Sequence, residues 1–232
     1  MKHLLSLAVI ALFIELLASC GDGKKQTAEA EENRYGIHYS DISTIKKAHK
    51  NVLIISGSPR RGGNTDLLCD EFARGAKEAG ARVEKLFLGD YDIKFFQEAD
   101  ERQVGDSADV AKDDAPMIVR KMLDADIIVL ASPVYFMNID GQMKTLIDRT
   151  YSHFIELKNK EFYYITACAD RAESTADFAI TGFRGFVMCL PNPTERGMIK
   201  ATGLGRKGSV KGTVFMPVSY THLRAHETLR HL

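Results

Sequence analysis

Val52-Leu53-Ile54-Ile55-Ser56-Gly57-Ser58-Pro59-Arg60-Arg61-Gly62-Gly63-Asn64-Thr65 reads as a buried strand, a loop and the start of a helix. The β-branched run at its head has the composition of a strand covered on both faces. The Gly, Ser and Pro that follow interrupt the run, and a helical pattern opens at Asn64. Such a loop brings backbone N–H groups, small hydroxyls and a guanidinium to the positive end of a helix dipole, which makes an anion site. A Walker A loop needs Lys-Ser/Thr after its last Gly, whereas Gly62 is followed by Gly63 and Asn64. The dinucleotide fingerprint fails too, because Gly57 has no Gly two residues on. The expected anion is therefore a monophosphate held without Mg²⁺. Ser58, Arg60, Asn64 and Thr65 are its candidate ligands; the alternative is an ordinary helix cap beside a solvated arginine.

A second segment answers the first. Asp126-Ile127-Ile128-Val129-Leu130-Ala131 is another buried-strand run, and it ends in Ser132-Pro133-Val134-Tyr135-Phe136. Two aromatics past a strand end place flat apolar rings at the C-terminal edge of a sheet. In an open parallel sheet, ligands bind at that edge, where the strand order reverses. A phosphate loop and an aromatic loop meeting there suit a ligand with a phosphate at one end and a flat ring at the other. Tyr135 and Phe136 could instead be core aromatics after a buried strand.

These two motifs resemble the NADPH-dependent FMN reductases of flavodoxin-like fold, in particular the branch related to iron–sulfur flavoproteins. The matching residues are Ser56-Gly57-Ser58-Pro59-Arg60 with Gly63-Asn64-Thr65, then Ser132-Pro133-Val134-Tyr135-Phe136, then Gln142-Met143-Lys144 and Ile147-Asp148-Arg149. The resemblance covers residues 50–213. It implies FMN as cofactor and NAD(P)H as co-substrate, with a quinone, a flavin or another small molecule as electron acceptor. It implies flavin contacts at Ser56, Ser58, Pro59, Arg60, Asn64, Thr65, Ser132, Pro133, Val134, Tyr135, Phe136, Asn138 and Ala169. No catalytic side chain is implied, since a flavin carries the hydride chemistry itself. The family usually has a Gly-rich turn where this chain has Cys168-Ala169-Asp170. That departure keeps a second reading open: a membrane-tethered flavin module that transfers electrons without NAD(P)H turnover.

Around this nucleus the pattern alternates strand and helix. Strands are expected at 52–56, 82–88, 127–131, 162–167 and 197–203. Helices are expected at 64–79, with Asn64 as N-cap and Gly80 as its stop, and at 115–124, 141–151 and 174–190. A βαβ series of this kind folds as a doubly wound parallel α/β sheet. The flavodoxin order 2-1-3-4-5 is the expectation.

The 232 residues carry 31 basic and 31 acidic side chains, which removes any overall pull toward nucleic acid. The cysteines at positions 20, 69, 168 and 189 form no CxxC, so neither a metal site nor a disulfide framework is expected. The loop at 89–114, where the iron–sulfur branch clusters its cysteines, has none, and no cluster is expected. Its length and its start at Phe95-Phe96 suit a lid or a homodimer element.

The ends of the chain read separately. Lys2 and His3 precede an apolar stretch that closes on Leu17-Ala18-Ser19-Cys20, which resembles a bacterial lipobox. Residues 1–19 are thus expected to be a lipoprotein signal peptide, with Cys20 lipidated and the protein held at the bacterial cell envelope. Residues 20–47 are polar and charged, as a flexible tether would be. The domain is expected at 48–217. After Thr213 the family would begin a last helix, but the string from Val218 resembles translated sequencing adapter. Residues 218–232 therefore read as a foreign or disordered tail, which would leave apolar surface open beside the first helix. His222 and His226 sit four apart, yet no third ligand stands with them.

Overall fold

A computed structural model describes residues 49–97 and 113–228. The expected signal peptide, the tether and most of the 89–114 loop lie outside the described residues.

Five parallel strands form one sheet: β1 (Asn51–Ser56), β2 (Arg82–Phe87), β3 (Ile127–Pro133), β4 (Glu161–Ala167) and β5 (Thr194–Ala201). Their order is β2-β1-β3-β4-β5, as expected. Between them run α1 (Asn64–Glu78), α2 (Ala115–Asp124), α3 (Gly141–Arg149) and α4 (Glu173–Val187), and α5 (Phe215–Thr228) follows β5. Val52 pairs with Val83 on one side and Ile127 on the other, which places β1 in the interior of the sheet.

Alternate residues of each strand feed opposite faces. Leu53, Ile55, Ile128, Leu130, Phe162 and Tyr164 pack with Met122 of α2, Met143 of α3 and Phe183 of α4. Val52, Ile54, Val129, Tyr163 and Ile165 pack on the other face with Leu68 and Phe72 of α1 and Leu223 of α5. Both faces are covered, as a parallel sheet requires.

Of the boundaries that differ from the sequence reading, four bear on the architecture. Gly63, not Asn64, is the N-cap of α1, and it offers no side chain to the helix amides. β3 runs on through Pro133, which pairs with Ala167 as the last residue of the strand, where its missing N–H costs no ladder bond. Beyond α3, residues 151–153 wind into a separate 3-10 turn. β5 begins at Thr194, earlier than expected, because it is a sheet edge. Its outer half stays polar and exposed, and its register to β4 shifts at Phe162/Tyr163, opposite Arg196.

The expectation of an open face beside α1 is corrected. α5 lies on α1: Ser219 Oγ donates to Leu68 O at 2.7 Å, and the Arg74 guanidinium sits 4.0 Å over the Tyr220 ring. Tyr220 OH also bonds Glu78. A side chain at Gly75 would overlap the Tyr220 carbonyl, so α1 meets α5 through backbone. The sequence reading missed this helix because it ended the family-like pattern near Thr213 and weighed only the residues from Val218, whereas the helix opens at Phe215-Met216; among the described side chains Leu223 is its large buried one.

Candidate functional site

The site forms where β1, β3 and β4 end. As the chain leaves β1, Gly57 N–H donates to Ala131 O at 2.8 Å. A Cβ at Gly57 would overlap the Asp140 carboxylate, so only glycine lets the two loops close on each other here. The loop then folds on itself. Ser58 Oγ accepts from Arg60 N–H at 3.2 Å, Gly63 N–H donates to Arg60 O at 2.9 Å, and Gly62 takes φ +64°. The first intrahelical bond of α1 is Leu67 N–H to Gly63 O. The amides of Asn64, Thr65 and Asp66 precede it, and no capping side chain covers them.

Of the two adjacent arginines, one serves the site. Arg61 pairs with Asp90 and lies 4.4 Å over the Phe87 ring, away from the loop. Arg60 instead lines a cleft of about 260 Å³ together with Ser58, Gly63, Asn64 and Thr65.

Pro133, Val134 and Tyr135 form the facing wall of the same cleft. Their loop is held from below. Ser132 Oγ donates to Asp140 Oδ2 at 2.5 Å and accepts from Asp140 N–H at 2.8 Å, while Asp140 Oδ1 caps α3 through Met143 N–H at 3.0 Å. Burial pushes the Asp140 carboxyl above the usual carboxylate range, against the pull of these hydrogen bonds. Tyr135 and Asn138 exchange two backbone hydrogen bonds of 3.0 Å around Phe136 and Met137. Both central residues have positive φ, 48° and 61°, as a type I′ turn demands, but neither is Gly or Asn. Strain of this kind collects at ligand-holding loops.

The third wall comes from the end of β4 and the loop after β5. Cys168, Ala169, Leu204, Gly205 and Lys207 line it. Cys168 N–H donates to Ala201 O at 2.9 Å and its carbonyl accepts from Leu204 N–H at 2.8 Å. Burial raises the Cys168 thiol, which keeps it a neutral, weakly reactive group.

The structure thus brings Ser58, Arg60, Asn64, Thr65, Pro133, Val134, Tyr135 and Ala169 around one cleft and sets the other expected residues apart. Ser56 is buried inside the sheet beneath the loop, and Pro59 is exposed outside the cleft lining. Ser132 is buried and committed to Asp140. Phe136 is fully exposed at the turn tip. Asn138 Oδ1 accepts from Ile139 N–H and faces Gly182 of α4. Sequence reasoning missed Leu204, Gly205 and Lys207. Their signal was present in Gly203-Leu204-Gly205-Arg206-Lys207-Gly208, a second glycine-rich basic run just past a strand at the same edge. A larger apolar groove of about 810 Å³, between α3 and α4, shares no residue with the cleft.

The family model for NADPH-dependent FMN reductase matches residues 50–188, a span that holds both the phosphate loop and the aromatic loop. The chain belongs to this family. An iron–sulfur flavoprotein of Archaeoglobus fulgidus is 39% identical over 99 residues, 43% of this chain and 48% of that protein. An FMN-dependent NADH:quinone oxidoreductase of Bordetella petrii is 31% identical over 121 residues, 47% of this chain and 57% of that protein. The chain spans about half the length of the curated relatives it matches. An FMN-dependent NADH-azoreductase of Bacillus anthracis, solved in complex with FMN, shares the fold. Its TM-score is 0.57 at 14% identity, over 78% of this chain and 99% of that one.

The residues present fit the cofactor of an FMN reductase. A guanidinium, two hydroxyls and uncapped helix amides face one end of the cleft, which is the donor set a phosphate needs. Pro133, Val134 and Tyr135 give the other end an apolar, aromatic wall for a flat ring.

Proposed function

We propose that the chain is an oxidoreductase that takes a hydride from NAD(P)H and passes electrons to a quinone, a flavin or another small acceptor. One observation carries this reading: the phosphate loop of β1 and the aromatic loop of β3 close around one cleft at the C-terminal edge of the sheet. FMN, when bound, supplies the hydride chemistry. Arg60, Ser58, Thr65 and the first amides of α1 bind its phosphate. Pro133, Val134 and Tyr135 shield one side of the ring from water. Ser132 and Asp140 hold that wall in register with the phosphate loop. Tyr135 is partly exposed at the mouth, so donor and acceptor can use the open side in turn.

Arg60→Ala is expected to weaken FMN binding by about 1.5–3 kcal/mol, the loss of a charge-assisted hydrogen bond. Flavin fluorescence titration reads this directly, and an unchanged affinity would remove Arg60 from the phosphate site.

We further propose that the domain is lipid-anchored at Cys20 on the cell envelope, on the strength of the basic, apolar and small-residue pattern at residues 2–20. Outside the cytoplasm NAD(P)H is scarce, so an anchored domain would draw electrons from another carrier; the second reading is a tethered electron-transfer module without NAD(P)H turnover. The Cys168-Ala169-Asp170 turn supports that alternative. Steady-state NADPH oxidation by FMN-loaded protein separates the two, since turnover excludes a module without reductase activity. Cys20→Ser is expected to move the protein from membrane to soluble fraction; a variant that stays on the membrane would sink the anchor.

A further inference from the structure

We propose that Lys207 is a second cation of the phosphate cradle, and that Asn64 holds it there as a positioning residue rather than as a ligand. The pair would make the chain select phosphorylated flavin over riboflavin. The inference rests on the FMN reading of the cleft and assigns roles that the two sequence motifs do not contain.

Asn64 spends its side chain on the loop after β5. Its Nδ2 donates to Leu204 O at 3.1 Å, to Arg206 O at 2.9 Å and to Ser209 Oγ at 3.3 Å. Its Oδ1 accepts from Val210 N–H at 3.1 Å. An amide side chain has two donor hydrogens and one acceptor oxygen, so these contacts use its donors fully. Nothing remains on Nδ2 for a phosphate.

The contacts fall on both sides of Lys207. Upstream, Leu204 is also tied to Cys168 O. Downstream, Ser209 Oγ donates to Arg206 O at 2.8 Å, and Val210 is fully buried against the α1 face. Lys207 therefore sits at the crest of a loop pinned at each foot. Its Cε lies 3.6 Å from where a Cβ would stand on Gly62, so the two loops adjoin. Lys207 and Arg60 line the same cleft, and neither forms an ion pair among the described residues. Two like charges facing one small cleft repel each other until an anion lies between them. A phosphate dianion relieves that repulsion; the terminal hydroxyl of riboflavin does not.

The test is a set of flavin titrations on the full chain at low and moderate salt. Lys207→Met is expected to raise the Kd for FMN about tenfold or more, to leave the Kd for riboflavin essentially unchanged and to flatten the salt dependence. Lys207→Arg restores most of the FMN affinity. Asn64→Ala lowers FMN affinity in the same selective way, and the double variant binds FMN no worse than the weaker single variant, because both act through one charge. Equal losses for FMN and riboflavin, or additive losses in the double variant, would show a merely structural role and overturn the inference. If Asn64→Ala does not fold, the Lys207→Met and Lys207→Arg pair decides the matter alone. A wild-type chain that binds neither flavin would instead refute the FMN reading itself, which keeps the two failures distinct.

Discussion

Arg149→Met is expected to destabilise the domain by about 3–5 kcal/mol, the cost of leaving one member of a buried ion pair alone. Arg149 ends α3 and its side chain is 3% exposed; that of its partner Asp113 is 0% exposed. The guanidinium bonds both carboxylate oxygens of Asp113 and also donates to Lys94 O at 3.1 Å. Asp113 in turn accepts from Lys94 N–H at 2.9 Å and from Ala115 N–H at 3.1 Å. The pair therefore pinches residue 94 to residue 113 and fastens both to α3, at the two ends of the long excursion between β2 and α2. Taking Arg149 away strands a buried carboxylate.

The sign of the pH dependence follows from Asp113. Burial alone would push its carboxyl up, but the Arg149 guanidinium and the Lys94 and Ala115 amides outweigh burial and hold it below the usual range. A carboxyl lowered on folding adds stability above its unfolded value, near 3.9 for Asp. That stability is lost as the pH falls through the folded value. Wild type should thus lose part of its stability in this acid window. Asp113→Asn should be weaker at neutral pH and lack that part of the acid loss. Thermal melts across the window check both; an Arg149→Met variant that melts with wild type would mean that the pair is solvated.

Leu223→Ala is expected to cost about 2–5 kcal/mol, the usual penalty for a buried leucine, or on the order of 10 °C in Tm for a domain of this size. Leu223 is 2% exposed and joins the core beneath α1 with Leu68, Phe72 and Tyr163. The neighbouring His222 ring packs edge-on to Tyr163 at 5.5 Å. Ser219 and Tyr220 add polar contacts with α1, and Phe215 and Met216 of α5 pack half-buried against the same core. An unchanged melting temperature would mean that α5 does not cover the face.

Local chemistry in the chain was enough to reveal the five strands and the two loops that leave β1 and β3, while the order 2-1-3-4-5 came from the resemblance to a flavodoxin-like family. Buried β-branched runs such as Ile127–Leu130 can go nowhere but the interior of a parallel sheet, and the glycine-rich loop after β1 must open at the positive end of a helix. Tertiary structure alone decided what each loop residue does. It sent Arg61 to Asp90 and left Arg60 in the cleft. It tied the Asn64 side chain to the loop after β5, and it brought Lys207, 143 positions beyond Asn64, to the lining of the same cleft. It laid α5 on α1 although the pattern of that helix shows no strong apolar stripe. The division has one physical cause. Periodicity and turn chemistry report which backbone shape and which buried face a segment prefers, whereas a polar side chain's partner is set by which distant loop the sheet order delivers within about 3 Å of it.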